Sequence, residues 1–175
     1  YGTKASVAGW ATAIGNEANA SGRGAIAMGN GAKSSGNDAI ALGFIANASG
    51  ENAVTIGVRS VASGQASAAY GIQAQATAER SIALGVVSKA TGGHSVALGD
   101  SSKAYGHWST AVGPIAVADG YSATALGSGS HASGSASLAL GKASNANNRS
   151  SVAVGENANS SGDSSVAIGL YSKSS

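Results

Sequence analysis

The sequence predicts an all-β repeat protein, a parallel β-roll solenoid of about twelve fourteen-residue coils, and three observations predict it. Glycine returns every fourteen residues, at Gly15, Gly29, Gly43, Gly57, Gly71, Gly85, Gly99, Gly113, Gly127, Gly141, Gly155 and Gly169, without one insertion or deletion. Ahead of each of these glycines small residues alternate with larger, mostly aliphatic ones, as in Ser-Val-Ala-Leu-Gly at 95–99. Behind each, two small residues flank a third, usually polar one, as in Ala18, Asn19 and Ala20. A fixed period means stacked supersecondary units, and strict alternation means strands, whose side chains point to opposite faces at every step.

Each coil is numbered here by register 1 to 14, ending on the periodic glycine. Registers 3 and 5 are Ala or Ser after all twelve glycines, with a mostly polar register 4 between them: Asn19, Lys33, Asn47, Gln75, Lys89, Lys103, His131 and Asn145. This reads as a short strand with its small face inward and its polar face outward. Register 7 is Gly in nine of the eleven complete repeats that follow Gly15, replaced by Ala78 and Asn148. Registers 10 and 12 are small, with Thr55 as the one exception to alanine at register 12, and registers 11 and 13 are mostly large and apolar. This reads as the second strand. The glycines at registers 7 and 14 are expected to supply the backbone freedom of the two turns.

Stacking pairs each strand with its counterpart one coil on, about 4.8 Å away, so twelve coils make a rod about 55 Å long. Only Ala, Ser and Gly lie between the two sheets, and a buried methyl stabilises by only about 0.8 kcal/mol. The weight falls on the face formed by registers 11 and 13: Ile14, Ile26, Met28, Ile40, Leu42, Val54, Ile56, Tyr70, Ile82, Leu84, Val96, Leu98, Val112, Leu126, Leu138, Leu140, Val152, Val154, Val166 and Ile168. Such a face far exceeds the apolar patch a soluble monomer tolerates. Burying each of these side chains is worth roughly 1.5–3 kcal/mol as an upper estimate, so the face is expected to be an obligate interface. Two rows in the following turn, Phe44, Val58, Ile72 and Val86 at register 1 and Ile45, Val87 and Ile115 at register 2, are expected to extend it onto a neighbouring protomer.

Composition excludes several classes. Gly/Ser-rich chains are often disordered, but hydrophobic residues make up 43% here and recur in order. A net charge of +2 gives no basic surface for nucleic acid. With no cysteine there is neither a disulfide nor thiol chemistry. No apolar run approaches the length of a membrane-spanning helix, so no membrane contact is expected within this fragment. The chain opens at Tyr1 without a leader-like stretch and reads as a single domain, residues 1–175, cut from a longer protein. Its first ten residues fit the period poorly, because Gly9 sits one place late for register 7.

The fourteen-residue period with pentapeptides such as Ser-Val-Ala-Ile-Gly at 165–169 resembles the YadA-like head repeat of trimeric autotransporter adhesins, over residues 11–175. The resemblance implies a left-handed roll, a parallel homotrimer, and a place at the bacterial cell surface. Anchorage in the outer membrane would come through a C-terminal segment that this chain does not include. It also implies a non-enzymatic adhesin head that attaches to host extracellular-matrix proteins or cells; the alternative is a structural spacer of the surface fibre with no receptor of its own. Other solenoids fit less well. Left-handed acyltransferase helices repeat every six residues, calcium-binding rolls need aspartate ladders, and ice-binding solenoids need a flat threonine array.

No catalytic constellation or cofactor site is evident. His94 and His107 fall on adjacent coils near one turn, but a metal site wants three or four ligands. The stronger signal is aromatic. His94, Tyr105, His107, Trp108 and Tyr121 gather at registers 6, 8 and 9 of successive coils, and Lys89 and Lys103 share register 4 on adjacent coils, where an anionic-partner site competes with a plain solvated face as the account of them. Aromatic side chains on a polar surface are anchors for partners. These residues are candidates for receptor contact, and packing of the rings against a neighbouring protomer is the competing account. Two ion pairs are expected between adjacent coils, Lys142 with Glu156 and Arg149 with Asp163.

Overall fold

The computed structural model describes residues 9–175 and, as backbone, the strand Lys4–Ala5. Its strands form two sheets, and in both every strand pairs in parallel with the strand next but one along the chain. One sheet is made of three-residue strands such as Ile26–Met28 and Ile40–Leu42, the other of two-residue strands such as Asn19–Ala20 and Lys33–Ser34. The register step is the sequence period: Ile26 pairs with Ile40 and Asn19 with Lys33. The architecture is therefore a parallel β-solenoid of about twelve coils. At the start Lys4 pairs with Asn19 and Ala5 with Ala20, a step of fifteen, so one extra residue lies between Ala5 and Thr12. The rest of the expected irregular start, residues 1–3 and 6–8, lies outside the described residues.

The interior is as thin as the small residues require. Alanines of registers 3, 5, 10 and 12 are wholly buried, Ala83, Ala97 and Ala111 among them, and the largest fully buried side chain is Thr55. Serines join them because most of their hydroxyls find an acceptor within the turn. Ser60, Ser88, Ser102, Ser130 and Ser144 each donate to the carbonyl of the glycine three residues earlier, at 2.9 Å. Thr55 fits at an alanine register because its hydroxyl donates to Ser60 Oγ at 2.6 Å. A buried hydroxyl without a partner is unfavourable, and four of them, on Ser67, Ser95, Ser109 and Ser137, have no partner.

The two turns correct the expectation drawn from the glycines. Each is a β-turn closed by a backbone bond to the carbonyl three residues back, Ala18 N–H to Gly15 at 3.3 Å and Ala25 N–H to Gly22 at 3.2 Å in one coil. The residue at the third turn position has positive φ, the mark of a type II turn. That residue is at register 2 or 9 and is mostly not glycine: Glu17 (57°), Asp38 (52°), Gln73 (57°), Trp108 (61°), and even the β-branched Ile45 (55°), Val87 (56°) and Ile115 (58°). Register 14 does use glycine's freedom, with φ of 133° at Gly29 and 143° at Gly57. Most register 7 glycines are kept for a different reason, since a Cβ on Gly36 would lie 1.9 Å from the Gly50 carbonyl oxygen one coil on, although Ala78 and Asn148 hold the same register.

The side chains sort as the alternation requires. Registers 11 and 13 project from the three-residue strands away from the alanine core and are half-buried or exposed, Leu84 at 45%. Register 4 projects from the opposite sheet. No helix among the described residues is long and apolar enough to cross a membrane.

Candidate functional site

Two surfaces stand out on this frame. The first is the apolar sheet. Because the ladder is in register, like residues stack along the rod: Ile82 beside Val96, and Leu84 between Tyr70 and Leu98. Met28, Ile56, Leu98, Leu126 and Leu140 lie exposed on this face, and Ile40, Leu42, Val54 and Val154 are half-buried. Around the turn of registers 14 to 3 the surface continues through Phe44, Ile45, Val58, Ile72, Val86 and Ile115, all exposed.

The second surface is the opposite turn, registers 6 to 9. Two ring stacks run along it. His94 lies on Trp108 with centroids 4.1 Å apart and planes 7° from parallel. His107 lies beside Tyr121 at 6.1 Å and 10°. The stacks meet edge to face, with His107 at 5.7 Å from His94 and 5.6 Å from Trp108. A residue not singled out by the sequence makes this possible. A Cβ on Gly93 would lie 2.4 Å from His107 Cε1, so the imidazole occupies the space this glycine leaves open. The signal was present, since Gly93 is a second glycine directly after register 7 and one coil before His107. Trp108 and Tyr121 remain more than half exposed. Tyr105 is exposed on the same turn but joins neither ring stack.

On the neighbouring polar sheet Lys89 and Lys103 are paired strand residues. Like charges side by side are unfavourable, and among the described residues neither lysine is in an ion pair. Of the carboxylates on these coils, Asp119 accepts from His131 at 3.0 Å, Glu79 faces Arg80 at 3.8 Å, and Asp100 accepts from the Ser101 hydroxyl at 3.4 Å. The His131–Asp119 pair escaped sequence reading because the two residues occupy different registers. Both pairs expected along the stack are formed, Lys142 to Glu156 at 3.2 Å and Arg149 to Asp163 at 3.8 Å. Among the described residues no group of three or more His, Asp or Glu side chains could hold a metal ion.

A family model of the YadA head domain repeat, two copies to the model, matches residues 11–32, 34–60, 62–88, 90–114, 106–130, 118–144, 132–155 and 146–172. The matches overlap because the repeat can be laid onto the chain in successive phases. Among solved structures the chain is similar to the crystal structure of the collagen-binding domain of the Yersinia adhesin YadA, at 28% sequence identity and a TM-score of 0.48. That similarity covers 67% of this chain and 58% of that one. No curated protein sequence matches.

Proposed function

The chain belongs to the YadA head domain family, and from that premise we propose that it is the non-enzymatic head of a bacterial surface adhesin, a left-handed roll working as a parallel homotrimer that attaches to host extracellular-matrix proteins or cells. It is read as one head domain of a longer surface protein held in the outer membrane by a segment outside this sequence. The observation that carries the assembly is the apolar sheet, which in a single protomer is a half-buried to exposed face running along the rod, with Leu84 and Leu98 near its middle. Monomers do not keep a patch of that extent in water.

Adhesion in such an assembly works by repetition. Three protomers and many fibres present the same outward surface, so modest single contacts add through effective concentration. Sedimentation equilibrium of the fragment at micromolar concentration is expected to give a trimer, and a folded monomer would overturn the assembly. Solid-phase binding of that trimer to a panel of matrix proteins is expected to saturate. A trimer that binds none of them is a spacer of the fibre.

A further inference from the structure

The two turns of the coil differ in a way that decides what the aromatic stacks face. In a parallel in-register assembly, residues of the same coil meet across the boundary between protomers. If the apolar turn packed against a neighbour's opposite turn, Phe44, Ile45, Val58 and Ile72 would meet Glu51, Asn52, Gln65, Ala66, Glu79 and Arg80, all exposed and mostly charged or amide. Apolar side chains do not gain burial against solvated charges. In these coils the apolar turn therefore packs on the neighbour's apolar sheet and leaves the turn of registers 6 to 9 toward solvent, and the constant fourteen-residue register carries that arrangement on to the aromatic coils, whose own register 1 holds Asp100, Pro114 and Ser128.

We propose that this turn, from His94 to Tyr121 together with Lys89 and Lys103, binds an anionic glycan, a chain of pyranose rings carrying sulfate or carboxylate groups. The proposal rests on the assembly described above, in which this turn is free. Three features point to that chemistry. The stacks end on open ring faces: one coil beyond Trp108 stands Ser122 and one beyond Tyr121 stands Ser135, each too small to cover the ring before it. An open aromatic face is the negative pole of the ring quadrupole, and the C–H bonds on a pyranose face meet it favourably. Around the rings lie hydroxyls and imidazoles, on Tyr105, Ser122, His107 and Tyr121, which suit the hydroxyl groups of a sugar. Finally, Lys89 and Lys103 are paired residues on adjacent strands, and among the described residues neither is in an ion pair. An acidic peptide would satisfy the lysines but makes no particular use of two open ring faces.

The test is binding of the full chain to immobilised heparin, with desulfated heparin and polyglutamate as comparison probes. Trp108→Ala with Tyr121→Ala, and separately Lys89→Gln with Lys103→Gln, are each expected to weaken heparin binding about tenfold or more, with sedimentation and melting curves confirming the intact oligomer. Desulfation is expected to remove the lysine contribution and leave the aromatic one. Lys33→Gln, in the same register far along the rod, is expected to change nothing. Binding that survives both double variants overturns the proposal, as does polyglutamate binding as tightly as heparin or an equal loss in Lys33→Gln. Loss of heparin binding in a chain that is already monomeric counts against the assembly instead, and a parent trimer that binds matrix proteins but not heparin overturns the glycan site while leaving adhesion standing.

Discussion

The two turns of each coil share one backbone and carry opposite surfaces. Both are closed by the same hydrogen bond across three residues, and both hold their third residue in the left-handed region. Yet over its middle coils the turn at registers 14 to 3 bears Phe44, Val58, Ile72 and Ile115 beside polar residues such as Arg59 and Gln73, while the turn at registers 6 to 9 bears Glu51, Gln65, Glu79 and then the stacked rings. The difference teaches that conformation here is imposed by the stack, not by the local residues. Each turn is hydrogen-bonded to the turn one coil on, as when Asp38 N–H donates to the Arg23 carbonyl at 2.7 Å and Ile45 N–H to Asn30 at 2.9 Å. With the backbone held from above and below, the outward side chains are released from folding duty, so apolar, charged and aromatic residues can occupy the same register on different coils.

The largest expected effect tests whether the apolar edge is buried at all. Leu84→Asp with Leu98→Asp sets two adjacent charges into the apolar sheet, and an unpaired buried charge is strongly destabilising. The oligomer is expected to dissociate or unfold, whereas Lys89→Asp on the polar sheet leaves melting close to the parent. Equal melting temperatures for the two would mean that the faces are assigned the wrong way round.

A smaller effect separates strain from burial within the apolar turn. Ile115→Ala removes the β-branch that makes left-handed backbone costly but also removes three carbons. If the side chain is buried against a neighbour, the loss is about 2 kcal/mol or more and the melting temperature falls. If it faces water, only the relief remains and the melting temperature rises. The sign of the shift in a thermal scan decides between them.

The rings of the other turn are expected to matter less for stability. Trp108→Ala gives up its stacking on His94, worth about 0.5–1.5 kcal/mol, and Tyr121→Ala its looser stacking on His107. Melting of the double variant is expected to fall by no more than this, since neither ring fills the core. A collapse of the trimer would place the rings between protomers and erase the contrast between the turns.

How much of this was legible beforehand follows the same division. The alanine interior and the apolar face could be read because alternation reports directly on side-chain direction, and Leu84 and Ala83 cannot exchange faces without a register slip. The ring cluster was legible because the ladder is in register, so equal registers on adjacent coils are neighbours; His94 and Trp108 needed no more than that. The left-handed residues were not legible. Glu17, Gln73 and Trp108 carry no local preference for positive φ, so nothing in their identity distinguishes them from their neighbours. His131 with Asp119, and His107 over Gly93, were missed for a related reason. They join different registers or fill an absence, and a period compares only like with like.

The smallest effect probes the turn backbone itself on the solvent edge. Ala136 is exposed at register 9 with φ of 54°, two coils beyond Trp108. Alanine has no favourable interaction to set against the left-handed conformation there, since its methyl touches neither the core nor the apolar sheet. Asparagine tolerates this region through local hydrogen bonding and, unlike glycine, does not loosen the unfolded chain. Ala136→Asn is therefore expected to raise stability by a few tenths to about 1 kcal/mol, read as a small increase in melting temperature with binding unchanged. The same logic predicts the opposite result on the apolar edge, where Ile115→Asn relieves the strain but gives up the burial that the proposed assembly would provide, Ile115 being exposed in the single chain. If both substitutions stabilise, the two turns are equally solvated and the apolar row is not part of the seam; if only Ala136→Asn does, the edges differ in what covers them, although their backbones are the same.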